Sequence, residues 1–429
     1  MKVLIIGGGG REHALAWKLR QSPQVAKLWC APGNGGISED AECIDANVGD
    51  VASLANLAEK LKADLTVVGP EQPLVLGIAD EFAKRGLRIL GPSREAARLE
   101  GSKVFAKEFM SRHGIPTAST YGILESSVDA YTALCEVDWP VVVKADGLCG
   151  GKGVLVTSSP DEATAFIERL MEKKEFGDAG KAVILEEGLK GLEISYLVLT
   201  DGENFLALAP ARDYKRAFDG DQGPNTGGMG AISCDKLISG ELEAAIQASI
   251  VLPTLMGMAK EGRAFRGVLY FGLMVTDSGP KVLEFNCRLG DPETEAIVMR
   301  MNFDLSEALL RAASGSLGDL RLSWEPKASA CVVLTTKNYP GKPETGKEID
   351  GFARKDKRTG AEIFHAGTIK KESNYYTHSG RVLTIAAGAE SISEARRKVY
   401  ETVNHISFEG MHFRKDIGSE AGEVAHGGD

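Results

Sequence analysis

Glu284, Asn286 and Arg288 stand two residues apart in the run from Val282 to Glu293. Side chains alternate faces along a strand, so these three should point one way while Leu283, Phe285 and Cys287 point the other. A carboxylate, an amide oxygen and a guanidinium on one face suit a divalent cation held together with phosphate. Mg²⁺ takes oxygen ligands, and arginine pairs with phosphate through two parallel bonds. The same residues also fit a half-exposed strand with three solvated polar groups. Upstream, Val268 to Thr276 reads as an apolar strand and Asp277-Ser278-Gly279-Pro280 as the turn that brings a second strand back beside it.

A second constellation surrounds a glycine-rich segment. Trp139 to Asp146 reads as a strand, Gly147-Leu148-Cys149-Gly150-Gly151-Lys152-Gly153 as a loop, and Val154 to Val156 as another strand. A Walker A loop would need Gly at 146, Ser or Thr at 153 and a helix afterwards, all of which are missing. A hairpin flap over triphosphate fits better, with the N–H groups of Gly147, Gly150, Gly151 and Gly153 and the amine of Lys144 or Lys152 as donors. A mobile hairpin tip with no ligand is the alternative. The helical stretch Ser102 to His113 adds Lys103 and Lys107. The strand block from Val183 to Leu199 supplies Glu186, Glu187, Leu189 and Glu193, where main-chain groups can read a base and a carboxylate can hold ribose. Ala211 to Gly230, containing Asp213, Asn225, Thr226 and Gly227, is expected to be a long ordered binding loop.

The N-terminus opens with an apolar strand at residues 2 to 6, passes through Gly7-Gly8-Gly9-Gly10 and enters a helix from Glu12 to Arg20. A strand running through glycines to a helix N-terminus gathers backbone N–H groups around an anion. The dinucleotide spacing G-x-G-x-x-G fails, since Glu12 or His13 occupies the third glycine position. No acidic residue follows Lys27 to Cys30 to hold a ribose, which argues against NAD(P). A further strand leads from Ala63 into Gly69-Pro70-Glu71. A later strand, Leu87 to Leu90, runs into Gly91. This alternation predicts a parallel sheet with Gly9, Glu71 and Gly91 near one crevice at its carboxyl edge.

At 429 residues the chain is too long for one ordinary core, so several domains are expected. A formal net charge of −10 argues against general nucleic-acid binding. The apolar run after Lys2 is too short for a signal peptide, and no segment is expected to span a bilayer, which together suggest a cytosolic protein. Seven scattered cysteines without a C-x-x-C pair read as thiols in a reducing compartment. Beyond a Gly-, Ser- and Pro-rich stretch near 314 to 326, a last domain follows. It has strands at Ala328 to Thr335, Glu362 to Thr368 and Arg381 to Ala387, and a helix at Ser393 to Asn404. Its His365, Thr368 and Arg381 either face solvent or close the N-terminal crevice.

Taken in order, several motifs together resemble one family. They are Gly9-Gly10-Arg11-Glu12-His13-Ala14, Val68-Gly69-Pro70-Glu71, Leu99-Glu100-Gly101-Ser102-Lys103, Val143-Lys144-Ala145-Asp146-Gly147-Leu148, Gly223 to Ala231, Glu284 to Thr294 and Arg414-Lys415-Asp416-Ile417-Gly418. The chain resembles the ATP-grasp enzymes and, more closely, the phosphoribosylamine–glycine ligase (glycinamide ribonucleotide synthetase) family. Two departures fall in loops: Gly150 stands where the flap more often carries Ala, and Lys342-Pro343 replaces an acidic-aromatic pair.

The resemblance implies an α/β fold with α+β portions. It comprises an N-terminal open parallel α/β domain at residues 1–101, a central ATP-grasp fold at 102–325 with a mobile lid at about 119–188, and a small C-terminal mixed-sheet domain at 326–420. Residues 421–429 are expected to fray. It implies ATP, glycine and 5-phosphoribosylamine as partners. Charge and hydropathy predict neither nucleic acid nor membrane as a partner, and a monomer is expected over an oligomer. Glu284 and Asn286 would hold Mg²⁺ or Mn²⁺, and Lys103, Lys144 and the flap would neutralise the transferring phosphoryl group. Glu186, Glu187, Leu189 and Glu193 would hold the nucleoside. Arg288 and Asp213 would pair with the carboxylate and ammonium of glycine, with phosphate as the alternative partner of Arg288. Gly9, Gly10, Arg11 and Glu71 would hold phosphoribosylamine, and Asn225, Thr226, Gly227, His365 and Arg381 would complete the substrate site.

Overall fold

The computed structural model describes residues 1–325, 327–351 and 359–419. The expected frayed tail at 421–429 lies outside them. The N-terminal part forms a five-stranded parallel sheet in the order Glu42–Cys43, Lys27–Pro32, Lys2–Gly7, Leu65–Val68, Ile89–Leu90. Val3 to Ile6 are fully buried, as expected for a parallel strand covered on both faces. The chain leaves the central strand Lys2–Gly7 toward one edge and later returns to its other side. That reversal opens a crevice at the carboxyl ends of the strands. Two helices start there, Gly10–Leu19 and Glu71–Val75.

A nine-stranded antiparallel sheet makes up the centre. Its order is Gly279–Asn286, Gly267–Thr276, Leu192–Thr200, Ala211–Asp213, Gly230–Ser233, Ala328–Thr335, Arg381–Ala389 and Glu362–His365, with Phe205–Ala207 branching from Leu192–Thr200. Because Gly230–Ser233 pairs with Ala328–Thr335, the C-terminal strands extend the sheet that carries the Glu284 hairpin. A smaller four-stranded antiparallel sheet, Thr120–Leu124, Val183–Glu187, Val141–Ala145 and Val154–Thr157, has its own core around Val143, Phe166, Ile167 and Leu185. Its strands fall within residues 120 to 187.

Several local expectations change. Residues 183 to 199 form two strands in two different sheets, joined by Gly188 to Gly191. The run from 211 to 230 is not a loop throughout. It contains strands Ala211–Asp213, Arg216–Phe218 and Gln222–Asn225, the last two joined by a tight connection in which Gly220 and Asp221 take φ of 68° and 55°. The stretch 362–368 breaks after His365, and Thr368–Lys371 joins a separate three-stranded sheet.

The helix Gly240–Lys260, which includes a π turn at Gln247–Val251, is long and apolar enough by length and composition to cross a membrane. This overturns the expectation that no segment could do so. In the fold, its Ile246, Ile250, Val251 and Met258 pack into the same core as Tyr196, Phe271 and Phe285.

Candidate active site

The hairpin Gly267–Thr276/Gly279–Asn286 carries a bulge. Gly272 pairs with Glu284 and Leu273 with Val282, which leaves Leu283 unpaired. Strict alternation placed Leu283 in the core, but Val282, Phe285 and Cys287 take the buried positions. The bulge leaves the Leu283 carbonyl to accept a hydrogen bond from Lys144 Nζ at 2.9 Å.

Glu284 lies 3.6 Å from Lys215 Nζ, and Lys215 also pairs with Glu193. Burial alone would raise the Glu284 carboxyl, but Lys215, Lys103, Lys144 and Arg288 together hold it below the usual carboxylate range. Burial would likewise discharge Lys215, yet Glu193, Asp213, Glu284 and Tyr270 push its ammonium well above the ordinary lysine value. Asp213 behaves differently. One of its oxygens, Oδ1, is buried without a hydrogen-bond partner, and burial pushes this carboxyl well up against the opposing pull of Lys215.

Lys144 pairs with Glu186 at 2.7 Å, and Lys107 holds the other oxygen of Glu186 at 2.9 Å. Glu186 is only 4% exposed, and its carboxylate is shared between the two lysines. Lys103 opens the helix Lys103–His113, whose cap Ser102 accepts from Phe105 N–H and donates to Asp146 Oδ1 at 2.8 Å. The base of the flap is thereby tied to the lysine helix. Gly150 and Gly151 take φ of 57° and 79°, and a Cβ on Gly151 would lie 3.3 Å from the Thr226 carbonyl. The flap tip therefore lies against Thr226 and Gly227, with Lys152 exposed and Gly153 buried. Glu187 accepts from Ser119 N–H at 2.8 Å, the main reason its carboxyl stays low, and faces Lys281 at 3.3 Å. Glu187 ends its strand in the four-stranded sheet, Glu193 lies near the start of a strand in the central sheet, and Leu189 lies in the connection between them.

On the N-terminal side, the Gly9 N–H donates to the Glu12 carboxylate, which also receives Arg11 Nε at 2.7 Å. Arg11 Nη1 donates to the Leu289 carbonyl at 3.0 Å, which brings the parallel sheet against the strand that carries Glu284. Gly10 packs on Glu295, a fully buried carboxyl with no hydrogen-bond partner for either oxygen. Arg288 links the two sides. It lies 3.4 Å from Glu71 and 2.9 Å from Glu100, and donates to Asn286 Oδ1 at 3.1 Å. Burial would raise Glu71, but Arg288 and Arg11 hold it below the usual range. Arg288 is therefore already engaged by two carboxylates.

The C-terminal strand delivers Arg381, which donates to the Gly227 and Asp291 carbonyls and pairs with Asp291 Oδ1 at 2.9 Å. Asn225 ends its strand, Thr226 Oγ1 donates to the Lys215 carbonyl, and Gly227 N–H donates to Tyr339. His365 is 3% exposed, its ring meets Thr368 Oγ1 at 2.9 Å, and its backbone N–H donates to His13 Nδ1. That places it between the first helix and the C-terminal sheet, and its carbonyl accepts from Asn34 Nδ2, which also donates to the Gly8 carbonyl of the glycine loop.

Three residues gathered here were not singled out as site residues beforehand: Lys215, Glu100 and Lys107. Glu100 lay inside the motif Leu99 to Lys103, Lys215 inside the Ala211 to Gly230 run two positions after Asp213, and Lys107 on the Ser102 to His113 stretch. Their partners, however, come from distant segments. Among the described residues no group of three or more His, Cys, Asp or Glu is arranged to hold a metal. Glu284 and Asn286 still fit a divalent ion that takes its remaining ligands from phosphates and water, the usual arrangement for Mg²⁺.

The comparisons with known proteins cover the whole arrangement. Family models described as phosphoribosylglycinamide synthetase match residues 1–100 (N domain), 101–294 (ATP-grasp (A) domain) and 329–420 (C domain). A phosphoribosylamine–glycine ligase from Caldanaerobacter subterraneus is 46% identical over 417 residues, 97% of this chain and 99% of the relative. One from Ralstonia nicotianae is 46% identical over 422 residues, 98% of this chain and 99% of the relative. The crystal structure of phosphoribosylamine–glycine ligase from Thermotoga maritima superimposes with a TM-score of 0.82 at 36% identity, covering 97% of this chain and 100% of that one. Biotin carboxylase from Campylobacter jejuni in a β,γ-ATP complex shares the fold, with a TM-score of 0.74 at 17% identity over 96% of this chain and 92% of that one. Matched along nearly its whole length and in all three parts, the chain belongs to the phosphoribosylglycinamide synthetase family and is an ATP-grasp ligase.

Proposed function

We propose that this protein joins glycine to 5-phosphoribosylamine at the expense of ATP, giving glycinamide ribonucleotide, ADP and phosphate for purine biosynthesis. The observation that carries the reading is the meeting, at Arg288, of the cation-rich hairpin face with the glycine-lined crevice of the parallel sheet. The names of the relatives along the full chain support it. A carboxylate is a poor electrophile, so the first step is attack of a glycine carboxylate oxygen on the γ-phosphorus of ATP. ADP leaves and glycyl phosphate remains. The amine nitrogen of phosphoribosylamine then attacks the glycyl carbon, phosphate departs and the nitrogen loses a proton.

In this reading Lys103, Lys144 and the flap N–H groups hold the phosphoryl oxygens, and Lys215, charged and beside Glu284, joins them. Glu284 and Asn286 hold Mg²⁺ or Mn²⁺, which when bound neutralises phosphate charge. Glu187, Leu189 and Glu193 take the nucleoside. Asp213, with its unpartnered oxygen, takes the glycine ammonium. Gly9, Gly10, Arg11 and Glu71 take phosphoribosylamine. Flap closure onto Thr226 and Gly227 excludes water, which would hydrolyse the acyl phosphate.

The proposed units are 1–101, 102–325 with the lid at 119–188, and 326–420, acting as a cytosolic monomer. Seven free thiols agree with a reducing compartment. The test is ADP release with each substrate omitted in turn. Turnover should require ATP, glycine and phosphoribosylamine together, and equal turnover with bicarbonate, formate or another amino acid would overturn the substrate assignment.

A further inference from the structure

Glu100 is 6% exposed, and both of its carboxylate oxygens are spent on the two residues that follow Asn286. Oε2 accepts from the Cys287 N–H at 2.6 Å, and Oε1 lies 2.9 Å from Arg288 Nη2. The same Nη2 donates to Asn286 Oδ1 at 3.1 Å. An amide can present either its oxygen or its NH₂ at a given place, and a guanidinium donor opposite it selects the oxygen. A carboxyamide oxygen has two lone pairs, so one remains for a cation after Arg288 is bonded.

We propose that Glu100 is a positioning residue for the metal. By fixing the Cys287 backbone and the Arg288 guanidinium, it holds Asn286 with its oxygen turned toward the ion that Glu284 shares. This rests on the reading of Glu284 and Asn286 as the metal pair. It gives Glu100, which lies on the short segment Arg98–Gly101 outside the hairpin, a role in aligning the hairpin's ligand. Glutamine at this position would place an NH₂ against either the guanidinium or the Cys287 N–H, so the carboxylate is required and its length alone does not suffice.

The test measures Mn²⁺ binding to the full-length protein in the presence of ADP by electron paramagnetic resonance, alongside ADP binding without metal. Glu100→Gln should weaken Mn²⁺ about 10-fold or more, the usual consequence of losing a group that orients a ligand. Metal-free ADP affinity should stay within about twofold of the parent protein. A residue that only supported folding would not weaken the metal selectively. Arg288→Lys cuts the same link from the other side and should produce the same selective loss even if Glu100→Gln fails to fold. The double variant should bind Mn²⁺ no more weakly than Arg288→Lys alone. Unchanged Mn²⁺ affinity in a folded Glu100→Gln, or in Arg288→Lys, overturns the proposal. Glu284→Ala separates the two levels: if it leaves Mn²⁺ binding intact, the metal pair itself is misassigned, whereas loss there with no loss in Glu100→Gln removes only the role of Glu100.

Discussion

At the scale of single residues, the site is a balance of charges that no one side chain sets. Four cations around Glu284 keep it ionised despite burial, so a divalent ion would meet a ready carboxylate. Glu284→Ala should abolish metal-dependent turnover while leaving the fold intact. A metal contributes several kcal/mol of charge stabilisation, so ADP release should fall on the order of 100-fold or more. The melting temperature, followed by circular dichroism, checks the fold. Lys215 stands between Glu193, Glu284 and Asp213. Lys215→Met should cost turnover on the order of 100-fold, the scale seen when a preorganised donor to developing charge is removed. Retention of near-parental kcat would place Lys215 outside the phosphoryl path. Lys215 was legible only as part of a polar run, because a pattern of residue types does not show which carboxylates will surround an amine. The bulge at Leu283 was equally hidden, since alternation in sequence assumes an unbroken ladder.

At the scale of elements, two short devices position the lysines. Ser102 caps the helix Lys103–His113 and grips Asp146 at the root of the flap. Ser102→Ala should lower stability by about 1 kcal/mol, as loss of an N-cap does, and should raise the KM for ATP because Lys103 and the flap lose their common anchor. Urea denaturation and initial-rate kinetics test both parts. In the flap, Gly151 holds a left-handed conformation that costs a residue with a Cβ roughly 1–2 kcal/mol. Gly151→Ala should therefore raise the KM for ATP by up to about tenfold, while hydrogen exchange in the central sheet stays unchanged. The glycine cluster and its flanking strands were evident from residue types alone. The contact of the tip with Thr226 was not, because it joins segments from two separate sheets.

At the scale of the molecule, the parallel sheet, the four-stranded sheet and the long antiparallel sheet meet around one crevice, and the C-terminal strands brace the first helix. His365 lies in that brace. Burial pushes its imidazole well below the ordinary value, with His13 and Lys370 adding to the shift. The unfolded chain takes up a proton below about pH 6.5 that the folded protein resists. Stability is therefore full at neutral pH and falls as the pH drops through that value, by at most about 1.4 kcal/mol per unit. The melting temperature should decline between pH 7.5 and 5.5, and His365→Asn should flatten the decline; an unchanged slope would show that other groups carry it. From residue types and spacing alone came the alternation of strands and helices, the flap, the oxygen-ligand face and the family resemblance, because each rests on local periodicity or on a contiguous motif. Only the tertiary structure decided that Arg288 is clamped by Glu71 and Glu100, that Lys215 sits among three acids, and that His365 belongs to a packed interface. Those are pairings between residues far apart in the chain, and which charges meet depends on how the sheets stack, a property that no local stretch of sequence carries.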